Sequence, residues 1–162
     1  MGIDIAFWVL AITGVAAALA VVLFRDIFRA ALSLILCFLA VAGIYVILSA
    51  DFLAAAQVLI YVGAISVLVI LAIMLTRDVQ RGSLTNKLRV PAFVVSVLLL
   101  AVIGFAVTNT SWQISGQAPL EPTTAALAGK LFGEGGFILA VVIAAFLLLA
   151  AILGAIVMVR EK

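Results

Sequence analysis

A-D-F-L-A-A-A-Q-V-L-I-Y-V-G-A-I-S-V-L-V-I-L-A-I-M-L-T-R-D, residues Ala50 to Asp78, is the stretch whose reading decides the fold. Between Asp51 and Arg77 lie 25 residues without a charge. As an α-helix they extend roughly 37 Å at about 1.5 Å per residue, enough to cross a hydrocarbon core of about 30 Å. The polar exceptions are Gln57, Tyr61 and Ser66, with Thr76 at the end. Gln57 and Tyr61 are four apart and share one helix face, and Gly63 sits just beyond them. Polar groups at that depth are costly against lipid, so they mark a face turned towards protein or water.

The rest of the chain has the same character. Of 162 residues, 69% are hydrophobic and the mean hydropathy is +1.50, far above the apolar share of about 45–50% in soluble domains. This predicts an all-α integral membrane protein. The sequence has no His and one Cys, Cys37. That excludes an intrachain disulfide, and any multi-Cys iron–sulfur cluster or His-ligated haem or zinc held by this chain alone. Cys37 lies in a hydrophobic run and reads as a small buried hydrophobe. The start, M-G-I-D-I-A-F-W, lacks a basic n-region, and the apolar run between Asp4 and Arg25 reads as an uncleaved first span.

Uncharged windows place five transmembrane helices at about residues 5–24, 30–49, 52–76, 90–108 and 137–159. Continuous apolar runs, rather than alternation, argue for helices over a barrel. Arg25, Arg29, Arg77, Arg81, Lys87, Arg89, Arg160 and Lys162 all fall on one side of this arrangement, and Lys130 alone on the other. The positive-inside rule then puts the N-terminus outside and the C-terminus in the cytoplasm. The turn Ser49–Asp51 is so short that the second and third spans should be antiparallel neighbours. Residues 109–136 form an external loop with Pro119, Pro122 and G-E-G-G (Gly133–Gly136). Within it Thr123–Phe132 reads as a short surface helix capped by Thr123 or Thr124. Trp112 and Trp8 read as interfacial anchors. Gly14/Ala18 and Ala150/Gly154 offer small-residue pairs for helix packing. The whole chain reads as a single membrane domain.

No phosphate loop, nucleophile triad, metal-ligand cluster or dinucleotide fingerprint is present. No catalytic, cofactor-binding or metal-ligating residue is assigned, and nothing points to nucleic acid. No span carries an internal Asp, Glu, Lys or Arg, although pumps and proton-coupled transporters usually need a titratable group in the membrane. In an ion-translocating machine, a neighbouring subunit must therefore supply those groups. Tyr61 and Gln57 read plainly as hydrogen-bonding partners of a neighbouring helix or of buried water, and Gly63 as a close-packing residue.

The run Ala30 to Leu75, and above all F-L-A-A-A-Q-V-L-I-Y-V-G-A-I-S-V-L (Phe52–Leu68), resembles subunit J of bacterial respiratory complex I, the NuoJ family. R-D-I-F-R-A-A-L (Arg25–Leu32), the five spans, the external N-terminus and A-L-x-x-x-L-F (Ala126–Phe132) fit as well. In one place the chain departs. Many members carry Pro-Phe-Glu early in the last span, where this sequence reads F-I-L-A-V-V-I-A-A-F (Phe137–Phe146). Any role tied to that acid does not carry over.

The resemblance implies a non-catalytic core membrane subunit of a proton-translocating NADH–quinone oxidoreductase in the bacterial inner (plasma) membrane. Its partners would be the other membrane subunits and lipid, with FMN, iron–sulfur clusters and quinone on other subunits. It also implies a π-bulge in the third helix at Tyr61 to Ser66. The coupling candidates are thus Gln57, Tyr61, Gly63, Ala64, Ile65 and Ser66. In a continuous α-helix Ile65 continues the Gln57–Tyr61 face, whereas one extra residue in the turn rotates everything beyond it by about 100° and brings Ser66 there. Two alternatives stay open. One is the equivalent subunit of a related hydrogenase, ferredoxin- or F420-linked complex or cation/proton antiporter. The other is a stand-alone small permease or channel.

Overall fold

The computed structural model describes residues 2–76, 89–112 and 123–160. Arg77, Arg81, Lys87 and Lys162 of the basic count, and Pro119 and Pro122 of the external loop, lie outside them. Among the described residues the regular structure is entirely helical: α1 (Gly2–Leu23), α2 (Ile27–Ile47), α3 (Asp51–Leu75), α4 (Arg89–Asn109), α5 (Thr123–Phe132) and α6 (Ile138–Arg160). All except α5 are long and apolar enough to cross a bilayer. The chain is a multi-pass membrane protein. Helix ends fall within about three residues of the uncharged windows, since Asp4 and Arg160 are drawn into end turns of α1 and α6.

Capping explains where α2 begins and ends. Asp26 is its N-cap, and its carboxylate accepts the Phe28 N–H at 3.0 Å. At the other end Ser49 takes a left-handed φ of 56°. Its N–H donates to the Val46 carbonyl at 3.0 Å, and the Ala50 N–H donates to the Tyr45 carbonyl at 2.9 Å. These are the paired bonds of a Schellman cap, which turns the chain straight into α3. The expected antiparallel α2–α3 pair follows from it.

α2 is the centre of the packing, with α1 along one side and α3 along the other. Among the described residues, every buried apolar side chain is an alanine: Ala17, Ala31, Ala40, Ala42 and Ala54. Small residues let helix backbones approach closely where lipid gives no hydrophobic drive for association. At the α1–α2 seam a Cβ on Gly14 would lie 3.5 Å from the Ala40 Cβ, and one on Gly43 would lie 2.8 Å from the Leu10 Cδ1. Gly14 is paired in this seam by Ala17, not by Ala18, which is exposed. Ala150 is exposed, and Gly154 has open space where a Cβ would stand.

α5 is the expected short helix and lies against the first turn of α3 and the start of α6. Neither threonine caps it as expected. Thr123 is already helical, and its buried hydroxyl has no hydrogen-bond partner among the described residues. A glycine elbow joins α5 to α6: the Phe137 N–H donates to the Lys130 carbonyl at 3.2 Å, and a Cβ on Gly136 would meet that oxygen at 2.6 Å. No described residue of α4 or α6 is buried. Trp8 and Trp112 are largely exposed, and the Trp112 indole N–H donates to the Val107 carbonyl at 3.0 Å.

Candidate functional site, the wound face of the third helix

α3 is not one α-helix. Asp51–Ala56 and Ser66–Leu75 are α-helical, and Gln57–Ile65 between them is π-helical. The π segment is longer than the one-residue bulge that the resemblance implies. At its lower end the Ser66 N–H reaches back five residues to the Tyr61 carbonyl. The Ser66 hydroxyl donates to the same oxygen at 2.7 Å. Elsewhere the hydroxyls bond four residues back, as in Thr13 to Val9, Ser33 to Arg29 and Thr76 to Ala72. Ser66 therefore clasps the wider turn twice, once by backbone and once by side chain.

The winding decides which residues share a face. Gln57 and Ser66 are nine residues apart, and at about 100° per residue an α-helix would set them on opposite sides. A π-helix has about 4.4 residues per turn, so nine residues return to nearly the same direction. In the structure Gln57 is 9% exposed and Ser66 is 3% exposed. Both are buried on the side covered by α2. Below Ser66 the less exposed positions are Val69, Ile70 and Ile73, while Leu68, Leu71 and Ala72 point away. The stripe that an unbroken α-helix would present, through Ile65, Leu68 and Ala72, is displaced.

The other candidates divide. Tyr61 is 44% exposed, and its ring meets Phe38 of α2 edge-on with centroids 5.4 Å apart. Its hydroxyl and the Gln57 amide make no hydrogen bond among the described residues, so both are available to a neighbouring helix or water. Ala64 faces outward and Ile65 is half-buried. At Gly63 a Cβ would lie 3.4 Å from the Val58 carbonyl of its own helix, and among the described residues no atom of another helix lies within 4 Å of it. Among the described residues no group of three His, Cys, Asp or Glu side chains gathers.

α-Helical spacing places Gln57 and Tyr61 together, and only the π-bulge implied by the family resemblance brings Ser66 round to them. The signal for Ser66 is its nine-residue separation from Gln57, legible only once π winding is considered.

Five apolar helices, three of them joined along alanine-lined seams and two with no described residue buried, together with the polar face of α3, define a membrane subunit that works in company. The chain belongs to the NADH-ubiquinone/plastoquinone oxidoreductase chain 6 family, whose sequence model matches residues 17–158. It is 38% identical to the F(420)H(2) dehydrogenase subunit J of Methanosarcina mazei, over 96% of this chain and 90% of that one. It is 40% identical to the NAD(P)H-quinone oxidoreductase chain 6 of a Synechocystis species, over 97% of this chain and 80% of that one. An organellar relative in Paulinella chromatophora, NAD(P)H-quinone oxidoreductase subunit 6, is also 40% identical, over 97% and 78%. With the family shown, the stand-alone permease falls away.

Proposed function

We propose that the chain is a core membrane subunit of a proton-translocating NADH–quinone oxidoreductase, and that α3 couples quinone reduction to proton pumping. The observation that carries this reading is the π winding that sets Ser66 on the Gln57 face. In α winding that position falls to Ile65, which is apolar; in π winding it holds a hydroxyl. A helix that exchanges the two windings alternates a side chain that supports a water path with one that interrupts it. No titratable group is needed in this chain, since carboxylates and lysines of neighbouring subunits carry the protons. Flavin, iron–sulfur clusters and quinone belong to other subunits. The chain lies in a bacterial plasma membrane, N-terminus outside.

The similarity to a subunit J named for F(420)H(2) favours a second reading of the electron donor. On that reading the same membrane arm is fed by a donor other than NADH. Gentle extraction, pull-down on this chain and mass spectrometry tests both. Antiporter-like and quinone-site subunits with a flavin-bearing NADH module are expected under the first reading. The membrane subunits with a different donor module support the second. Recovery of the chain alone would overturn both.

A further inference from the structure

We infer that α2 is the template that selects the π winding of α3, through the level at which a small side chain is required. This stands on the packing of the two helices and is independent of whether winding governs proton movement. The Phe38–Tyr61 ring contact fixes the antiparallel register. Ala42 lies four residues beyond Phe38 and Gln57 four before Tyr61; these four residues of α3 are also π-wound and advance less than four of α2, which sets the buried Gln57 between the levels of Val41 and the buried Ala42. In the other direction, π winding packs more residues into each turn. Five residues of α3 therefore advance about as far as four of α2, roughly 6 Å. That brings Ser66 level with Leu34 and Ile35, both half-buried on the turn of α2 next to Phe38.

Above and below the Phe38–Tyr61 contact, small stands against large at three levels: Ala42 near Gln57, Ser66 at Leu34 and Ile35, and Ala31 at Ile70. In α winding, Ile65 would take the Ser66 place and set a branched side chain against two more. Overfilling a close seam forces the helices apart or the side chains off their rotamers. The template thus favours the wider turn, and the two Ser66 bonds to the Tyr61 carbonyl hold it.

Disulfide trapping in the assembled complex, in native membranes and a Cys37→Ala background, reads the winding directly. Ala31→Cys with Ile70→Cys reports π winding, and Ala31→Cys with Leu68→Cys reports α winding. Ala31→Cys with Val69→Cys lies near the seam in both and controls for packing. With the native template the Ile70 pair should form its disulfide and the Leu68 pair should not. Replacing Leu34 and Ile35 by Ala should shift the ratio of the two rates towards the Leu68 pair by about tenfold, the change a repacking of this size sets. Ser66→Leu should shift it the same way. An unchanged ratio in both variants overturns the template, and so does loss of the Val69 pair, because the inference requires the seam to persist in either winding.

Discussion

Tyr61 contributes two separable groups to its helix, a backbone carbonyl that closes the π turn and a phenol that touches Phe38. Tyr61→Phe keeps the ring contact and the carbonyl while removing only the hydroxyl. The subunit should assemble normally, with quinone reduction or proton pumping slowed about fivefold, the rate equivalent of one hydrogen bond of about 1 kcal/mol. Turnover and pumping assays on native membranes check this, and wild-type values for both would reduce Tyr61 to a packing residue. Gly63 is tested by size. A methyl at Gly63 meets only ordinary contact, 3.4 Å from Val58 O, so Gly63→Ala should leave α3 and the complex intact. Gly63→Leu projects beyond this chain and should abolish assembly, read as loss of the intact complex on a native gel. The pairing of Gln57 with Tyr61 was legible from a spacing of four. The place of Ser66 was reached only through the π-bulge that the family resemblance implies, because a π turn reflects the choice of backbone partner, and α2 influences that choice from outside α3.

At the scale of elements, helix positions were legible because charge is excluded so sharply from hydrocarbon. The ends drifted by a few residues, as Asp4 and Arg160 can join the terminal turns while keeping their heads in the polar layer. Small-residue spacing was a poorer guide. Gly14 does face α2, but Ala17 is the second seam residue, while Ala150 is exposed and Gly154 has open space where a Cβ would stand. The α2–α3 turn makes a sharper case. Ser49 holds a left-handed φ of 56°, which a β-carbon resists by about 1–2 kcal/mol. Ser49→Gly should therefore stabilise the pair, by about 1 kcal/mol once the extra freedom of glycine when unfolded is subtracted. Ser49→Val should destabilise it by at least as much. Denaturant titration of the chain in mixed micelles, followed by helicity, gives both signs; a Gly variant less stable than the parent would refute the strain at this turn.

For the whole molecule the packing is lopsided. α1, α2 and α3 share alanine-lined seams, whereas Phe93, Leu98 and Phe105 of α4 and Phe146, Leu148 and Ile152 of α6 are each more than half exposed. Nothing in the hydropathy of α4 and α6 separates a lipid-facing helix from one that meets another polypeptide, so this division could not be read from sequence. Membership of a multi-subunit oxidoreductase family makes protein the expected cover for part of this surface. A photoreactive residue placed one at a time along α6, at Phe146, Leu148, Ile152 and Ile156, should therefore cross-link to other subunits in the native membrane with a helical period. Leu148, Ile152 and Ile156 fall four apart on one face and Phe146 on the opposite side, so capture by protein should be shared by the three and part from the outcome at Phe146, with lipid adducts on the other side. Capture confined to lipid at all four would mean that α6 stands at the rim of the complex, leaving the α1–α3 side and α4 as the surfaces through which this subunit is held.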